Sequence, residues 1–257
     1  MINLSRKLSF AQLWRICIYN FMYDVPRYVH DIEKIFNKNN LIKYSKILDS
    51  CAGVGFPAIE ITKKGYKIDC MDATEDEIIE FKDNARKQNV DLTCKKLKWS
   101  EIPEQYPRNH YDFIFCRGNS FIYAPGGWNE YKKVNKKESL KEYKKTLKIF
   151  YSILKEGGIL YLDKFSDREK PGRVKIGEVK FGEREYDLFF YREMKEGYRE
   201  AAMILVDENG NEEGLLNIAY SLRFNEVISM MKEVGFKKIQ KIKLKSEEYF
   251  DIILAYK

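Results

Sequence analysis

The chain predicts an α/β fold: a doubly wound, mainly parallel sheet, with an N-terminal helical cap and an antiparallel β insertion. Three observations carry this. Short apolar strands alternate with amphipathic helices between residues 46 and 163. A glycine turn, Gly53-Val54-Gly55, joins the first of those strands directly to a helix. Beyond residue 165 the alternation gives way to runs bounded by Lys195-Glu196-Gly197 and Glu208-Asn209-Gly210-Asn211, which is hairpin turn chemistry.

The elements follow in order. Residues 10–38 read as mainly helical, because apolar and aromatic residues recur at helical spacing, with a break near Pro26. Lys46–Asp49 is a short strand and residues 57–64 a helix. Tyr66–Met71 is a second strand, residues 75–88 a helix, Asp91–Leu97 a third strand and Tyr111–Cys116 a strongly apolar fourth. Residues 138–154 form a helix, since Leu140, Tyr143, Leu147, Phe150, Tyr151 and Leu154 share one broad face, and Gly157-Gly158 stops it. Ile159–Asp163 is the fifth strand. Runs such as Glu185–Glu193 and Tyr198–Val206 make the hairpins of residues 173–222, which are expected to lie over the crevice. Residues 224–234 form a helix ended by Gly235, and strands near Lys237–Lys243 and Phe250–Tyr256 bring the sheet to seven. The expected division is a cap (1–40), a core (41–165), an insertion (166–222) and a C-terminal helix and strand pair (223–257), within one domain. A chain of 257 residues is long enough for that.

Composition excludes several classes. The net charge of +7 comes from lysines interleaved with glutamates, without a long basic block, which weighs against a nucleic-acid partner. The five cysteines form no C-x-x-C pair, so a disulfide frame or zinc site is not expected, and a reducing compartment is. No apolar run is long enough to span a membrane and no signal peptide is visible, so a soluble cytoplasmic protein is expected. There is no P-loop, no Ser/His/Asp set and no metal cluster; His30 and His110 read as structural and surface residues.

The central motif is Ile47-Leu48-Asp49-Ser50-Cys51-Ala52-Gly53-Val54-Gly55-Phe56-Pro57-Ala58. An acidic residue ends the strand, and a Gly-x-Gly bend opens into a helix whose first N–H groups suit a ligand's carboxylate. Pro57 fits the first helical turn, where its missing N–H costs nothing. The same spacing also fits a dinucleotide site or a ligand-free turn. Asp72, after the second strand and 17 residues beyond Gly55, suits a ribose diol, with Thr74 the better cap for the next helix.

Taken together these residues resemble class I S-adenosylmethionine (SAM)-dependent methyltransferases, closest to the glycine N-methyltransferase group and its small-molecule relatives. The resemblance covers residues 10–165 well and the rest loosely. It rests on Asp49-Ser-Cys51-Ala-Gly53-Val-Gly55, on Lys98-Trp99, and on Cys116-Arg117-Gly118-Asn119-Ser120-Phe121. It implies a Rossmann-like sheet and SAM held by Asp49, Cys51, Gly53, Gly55, Asp72, Ala73, Lys98, Trp99, Cys116, Arg117, Gly118 and Ser120. It further implies Asn119 at the acceptor and an N-terminal helix over the site, whose Tyr19 and Tyr23 stabilise the sulfonium and position the acceptor. Asn119 can both donate and accept, so it suits an amine or a carboxylate.

Two places depart from the family. Lys98 stands where relatives carry Asn or Asp, and Phe165 where glycine N-methyltransferase carries the Arg that clamps its substrate's carboxylate. Arg117, Lys164, Arg168 and Arg223 are the remaining anion candidates. The expected activity is in-line methyl transfer to a small molecule, an amine in the closest relatives. The rivals are an RNA or protein methyltransferase, an NAD-dependent oxidoreductase on the same fold, and a non-catalytic SAM-binding module. Homo-oligomer contacts through the hairpins are a further expectation.

Overall fold

In the computed structural model, β1 (Ile47–Asp49), β2 (Ile68–Asp72), β3 (Cys94–Lys96), β4 (Tyr111–Cys116) and β5 (Leu154–Phe165) lie parallel in the order β3-β2-β1-β4-β5. Beyond β5, β11 (Phe250–Tyr256) runs antiparallel, with β10 (Lys238–Ile242) at the edge, giving the expected seven strands. The structure describes residues 9–126, 134–166, 171–181, 184–247 and 249–257. Arg168, residues 1–8 of the cap and residues 167–170 of the insertion lie outside these.

Strand order reverses between β1 and β4, so their carboxyl ends open a crevice at a switch point. Side-chain alternation splits the core in two. Phe113, Phe115, Ile159 and Tyr161 face one side, with Phe36 of α2 (Val25–Lys38), Ile59 of α3 (Ala58–Lys63) and Phe81 of α4 (Glu75–Lys87). Ile114, Cys116, Leu160 and Leu162 face the other. There they meet Ile102 of α5 (Ile102–Gln105), Leu147 of α6 (Lys136–Ile153) and Val227 of α7 (Phe224–Val234).

Several boundaries differ from expectation, each for a local reason. The break near Pro26 is present, at Tyr23 and Asp24. α1 (Phe10–Cys17) runs into a π-helical turn, Ile18–Met22, and Asp24 caps α2 by accepting from Arg27 N, with Pro26 in its first turn. The glycines do not stop α6. It ends at Ile153 and Leu154 already starts β5. Gly158 sits inside that strand, where a Cβ would fall 2.8 Å from the Lys155 carbonyl and 3.1 Å from that of Tyr111. The glycine therefore permits the shifted β4–β5 register beside Tyr111. Pro57 is the residue just before α3 and makes no side-chain cap bond.

The insertion is a four-stranded antiparallel meander: β6 (Gly172–Phe181), β7 (Arg184–Met194), β8 (Tyr198–Val206) and β9 (Glu212–Tyr220). Its strands β7 and β8 put Arg192 and Arg199 over the ring of Phe165, at the carboxyl end of β5. The sheet rests on the N-terminal segment: Gly177 packs its bare Cα on the Phe21 ring, and Cys17 Sγ lies 3.4 Å from Met203 Sδ. α1 borders the crevice as well, through Trp14. It is tied to α4 by Arg15, which pairs with Glu80 at 3.4 Å and Asp83 at 3.3 Å.

Candidate active site

At the carboxyl ends of β1, β2 and β4 lies a cleft of about 410 Å³. Its walls include Cys51, Gly53, Asp72, Ala73, Lys98, Trp99, Arg117, Gly118 and Ser120, all anticipated, and Trp14, Ile18 and Glu77, which were not.

The glycine bend has two different causes. Gly53 has φ +50 and faces the cleft; a Cβ there would meet only Glu77 Oε2, at 3.5 Å. Gly55 has φ +99 and is no cleft residue. A Cβ would fall 2.5 Å from Ile59 Cδ1 and 3.2 Å from the Phe81 ring, so this glycine serves packing of the bend on α3 and α4. Gly55→Ala combines overpacking with a disfavoured backbone conformation and is expected to destabilise the fold by about 2–4 kcal/mol. Urea unfolding with an unchanged m-value checks it.

Asp72 is the hinge of the bend. Its Oδ2 accepts from Gly53 N at 2.9 Å and its Oδ1 from Thr74 N at 2.9 Å. Thr74 itself makes no side-chain cap bond to α4, so Asp72, not Thr74, secures that helix start. Asp72 itself lines the cleft. Trp99 donates Nε1 to the Ser50 carbonyl at 2.6 Å and meets Phe150 edge-on, which holds the indole plane against the cleft wall.

Other expected residues lie behind the cleft. Asp49 is fully buried under the bend, accepting from Cys51 N at 3.3 Å, with Oδ2 unpartnered. Cys116 is a fully buried core residue of β4, and burial pushes its thiol far up. Cys51 Sγ instead accepts from Arg117 N and donates to the Arg117 carbonyl, pinning β1 to β4 at their ends. Asn119 is left-handed at φ +61 and buried. Its N–H donates to Asp163 Oδ1 at 2.8 Å and its Oδ1 accepts from Phe165 N at 3.1 Å.

The two tyrosines separate. Tyr19 does not face the cleft: its hydroxyl donates to Glu60 at 2.7 Å and accepts from Asn84 and Gln88, an arrangement that fastens the π turn to α3 and α4. Tyr23 is buried behind the cleft, accepting at 2.7 Å from Nη2 of Arg117. Each of the three nitrogens of that guanidinium makes a hydrogen bond to the protein. Its Nε donates to Tyr28 and its Nη1 to the Phe56 carbonyl, and it stacks within about 5 Å of the Tyr23, Tyr28 and Phe56 rings. Arg117 was expected to touch a ligand; it forms part of the cleft wall while its guanidinium is turned to Tyr23, Tyr28 and the Phe56 carbonyl.

Electrostatically the site is acidic. Burial pushes Asp49 up to about 7, raises Asp72 and raises Glu77 further, and Glu77 Oε2 has no partner. Glu77 shares a helix face with Phe81 and Asn84, so an acidic residue opening an otherwise inward stripe was its only sequence signal. Deeper in, burial pushes Asp163 to about 6 and Glu247, in the β10–β11 loop, to about 8. A carboxyl whose folded pKa exceeds its unfolded value favours the native state below about pH 4. That contribution is lost as pH rises through the folded value. The protein without ligand is therefore expected to lose thermal stability between roughly pH 5 and 8, and a pH series of calorimetric melts reads this directly.

A mainly parallel sheet in the order β3-β2-β1-β4-β5-β11-β10, with an acid-flanked glycine bend at its switch point, defines a Rossmann-like methyltransferase. The chain belongs to the methyltransferase domain family, whose model matches residues 42–210. It is 27% identical over 200 residues to a glycine/sarcosine N-methyltransferase of Halorhodospira halochloris, covering 76% of this chain. It spans 66% of that enzyme and 39% of a second curated relative, from Aphanothece halophytica. Among solved structures, a SAM-dependent methyltransferase from Clostridium acetobutylicum superposes with a TM-score of 0.66 at 14% identity, with 96% of each chain covered. The sugar N-methyltransferase KedS8 from Streptoalloteichus superposes at 0.69 and 10% identity, covering 96% of this chain and 92% of that one. At these identities the two superpositions speak for the fold.

Proposed function

We propose that this protein transfers a methyl group from SAM to the nitrogen of a small-molecule amine. The observation that carries the donor assignment is the charge of the cleft. Asp49, Asp72 and Glu77 converge on the glycine bend, and two of these acids keep a buried oxygen without a partner. A ligand with an ammonium, a sulfonium and a ribose diol complements such a set. A dinucleotide's pyrophosphate is repelled by it, which argues against the NAD-dependent alternative.

When bound, SAM supplies an activated methyl on a positive sulfur. Asp72 accepts the ribose hydroxyls while holding Gly53 in place. Glu77 and Asp49 balance positive charge at the bend. Trp99, Ala73 and Leu97 offer an apolar slot for the base, and Lys98 stands where a polar partner to the base edge is expected. Trp14 and Ile18 of the N-terminal segment exclude water from above. Tyr23, Arg117 and Asn119 shape the acceptor side. Alignment and water exclusion of this kind supply on the order of 7–11 kcal/mol to a displacement reaction.

The N-methylating relatives and the amine named in their activity support nitrogen as the acceptor atom. Isothermal titration with SAM and with NAD, followed by methyl transfer from labelled SAM into a metabolite extract, tests the proposal. Micromolar SAM binding with labelled amine products is expected; NAD binding without SAM binding removes the proposal.

A further inference from the structure

We infer that Arg192 and Arg199 of the insertion form an oxyanion subsite that holds the acid group, a carboxylate or a phosphate, of the molecule being methylated. This rests on the methyl-transfer reading above, and it makes the insertion the part of the chain that selects the acceptor.

Register brings the pair together. β7 and β8 run antiparallel, with Arg192 opposite Ala201 and Met194 opposite Arg199. Residues two apart on a strand share a face, so both arginines stand on one face as diagonal neighbours. Further along, the same face carries Leu188, Met203 and Leu205, buried with the N-terminal segment. Across the next strand pair Asn217 lies opposite Ala201, on the same face, and is buried, as Arg199 is. The short Ala201 side chain is therefore the floor between Arg192, Arg199 and Asn217. The neighbouring acids Glu193 and Glu200 stand on the opposite face, where the Tyr191 hydroxyl meets both.

A ring fixes where the pair sits against the core. The guanidinium carbons of Arg192 and Arg199 lie 5.4 and 4.8 Å from the centroid of Phe165. Phe165 ends β5, its N–H donates to Asn119 and its ring packs on Phe250 at 4.6 Å. The arginines thus meet the core at the end of the sheet that carries the cofactor cleft. A second cavity, of about 320 Å³, adjoins that cleft and shares Tyr123, Pro125 and Gly126 with it. Its wall includes Ala219, the residue opposite Arg199. Burial pushes Tyr123 up to about 12, and the charge of Arg199 close by acts in the other direction. An acceptor lying through the second cavity reaches the cleft at one end and Arg199 at the other.

The chemistry follows from the donor type. A guanidinium only donates, and its planar fork matches two oxygens of a carboxylate or a phosphate. Stacking on a ring uses the guanidinium's face, not the in-plane N–H groups that grip an oxyanion. Other cations near the end of β5 are turned elsewhere. Lys164 donates to the Phe165 carbonyl at 2.8 Å, and Arg117 to Tyr23, Tyr28 and the Phe56 carbonyl.

The test compares ethanolamine, β-alanine and phosphoethanolamine, which share a two-carbon arm and end in a hydroxyl, a carboxylate and a phosphate. Turnover is measured with SAM, and binding by calorimetry in the presence of S-adenosylhomocysteine. One of the two acids is expected to exceed ethanolamine by about tenfold or more in kcat/KM and to bind more tightly. Which acid leads tells a carboxylate-bearing acceptor from a phosphate-bearing one. Arg192→Gln and Arg199→Gln are each expected to lower kcat/KM for that acid by roughly tenfold, chiefly through KM, and to narrow its lead over ethanolamine to within about threefold. SAM affinity is expected to stay within about threefold. Arg199→Lys, which keeps the charge without the fork, is expected to recover part of the loss. Ethanolamine equal to or better than both acids, binding of neither acid, or a loss in the variants shared equally by all three amines overturns the inference. SAM titration of the same samples decides separately whether the donor assignment stands. The ranking of the three amines uses the unmodified protein, so it decides the matter even if a variant does not fold.

Discussion

Asp72→Ala is expected to lower SAM affinity by roughly 100- to 1,000-fold, the largest single effect on ligand binding in this protein. A hydrogen bond to a charged group contributes about 1.5–3 kcal/mol, and Asp72 is placed to accept two from a ribose. It also accepts from Gly53 N and Thr74 N, so its removal releases the bend that faces the ligand. Asp72→Asn is the finer probe. It keeps an acceptor oxygen but loses the charge, and is expected to fall between the two. Titration calorimetry measures both. An affinity within about threefold of the unmodified protein for Asp72→Ala sinks the ribose assignment.

Arg117→Met is expected to reduce stability by about 3–5 kcal/mol, the largest effect on the fold. The substitution removes a donor from three groups at once, the Tyr23 and Tyr28 hydroxyls and the Phe56 carbonyl, all drawn from the segments that enclose the site, and leaves Tyr28 its bond with Tyr161. At about 2–4 °C per kcal/mol for a chain of this size, the melting temperature should drop by roughly 6–20 °C. Lysine should not rescue it, because one ammonium cannot reproduce three diverging N–H bonds together with ring stacking. A melting temperature lowered by less than about 2 °C shows that this cluster does not tie the cap to the core.

Much of the architecture was legible along the chain because it depends on local periodicity. β4, α7 and β11 match their expected spans at Tyr111–Cys116, Phe224–Val234 and Phe250–Tyr256, each bounded by an abrupt change of pattern. Boundaries failed where a long-range contact overrode the local signal. Gly157-Gly158 looks like a helix stop, but backbone hydrogen bonds with Lys257 draw those residues into a strand.

For the site, the residue types around the bend and after β4 carried the information, since a glycine turn and an Asn loop have few physical uses. What a side chain faces was not readable. Tyr19 and Tyr23 are four residues apart on one segment, yet one is drawn to Glu60 and the other to Arg117. A π turn between them changes the angular step that helical spacing assumes. Gly53 and Gly55 likewise look equivalent in the motif but answer to the cleft and to the core respectively. Glu77 and Glu247 had little signal, because an isolated glutamate in a helix or loop is ordinarily a solvated surface residue.

Alternating apolar strands and helices, the acid-flanked glycine bend and the Asn119 loop were enough for the amino-acid order alone to determine the sheet, its switch point and the class of chemistry. Tertiary structure decided which acids lose their water, which cation is already engaged and which oxygens remain without a donor. The physical reason is that periodicity is encoded by neighbours a few residues apart. Desolvation and pairing depend on groups such as Arg117, Asp163 and Glu247, which folding alone brings together.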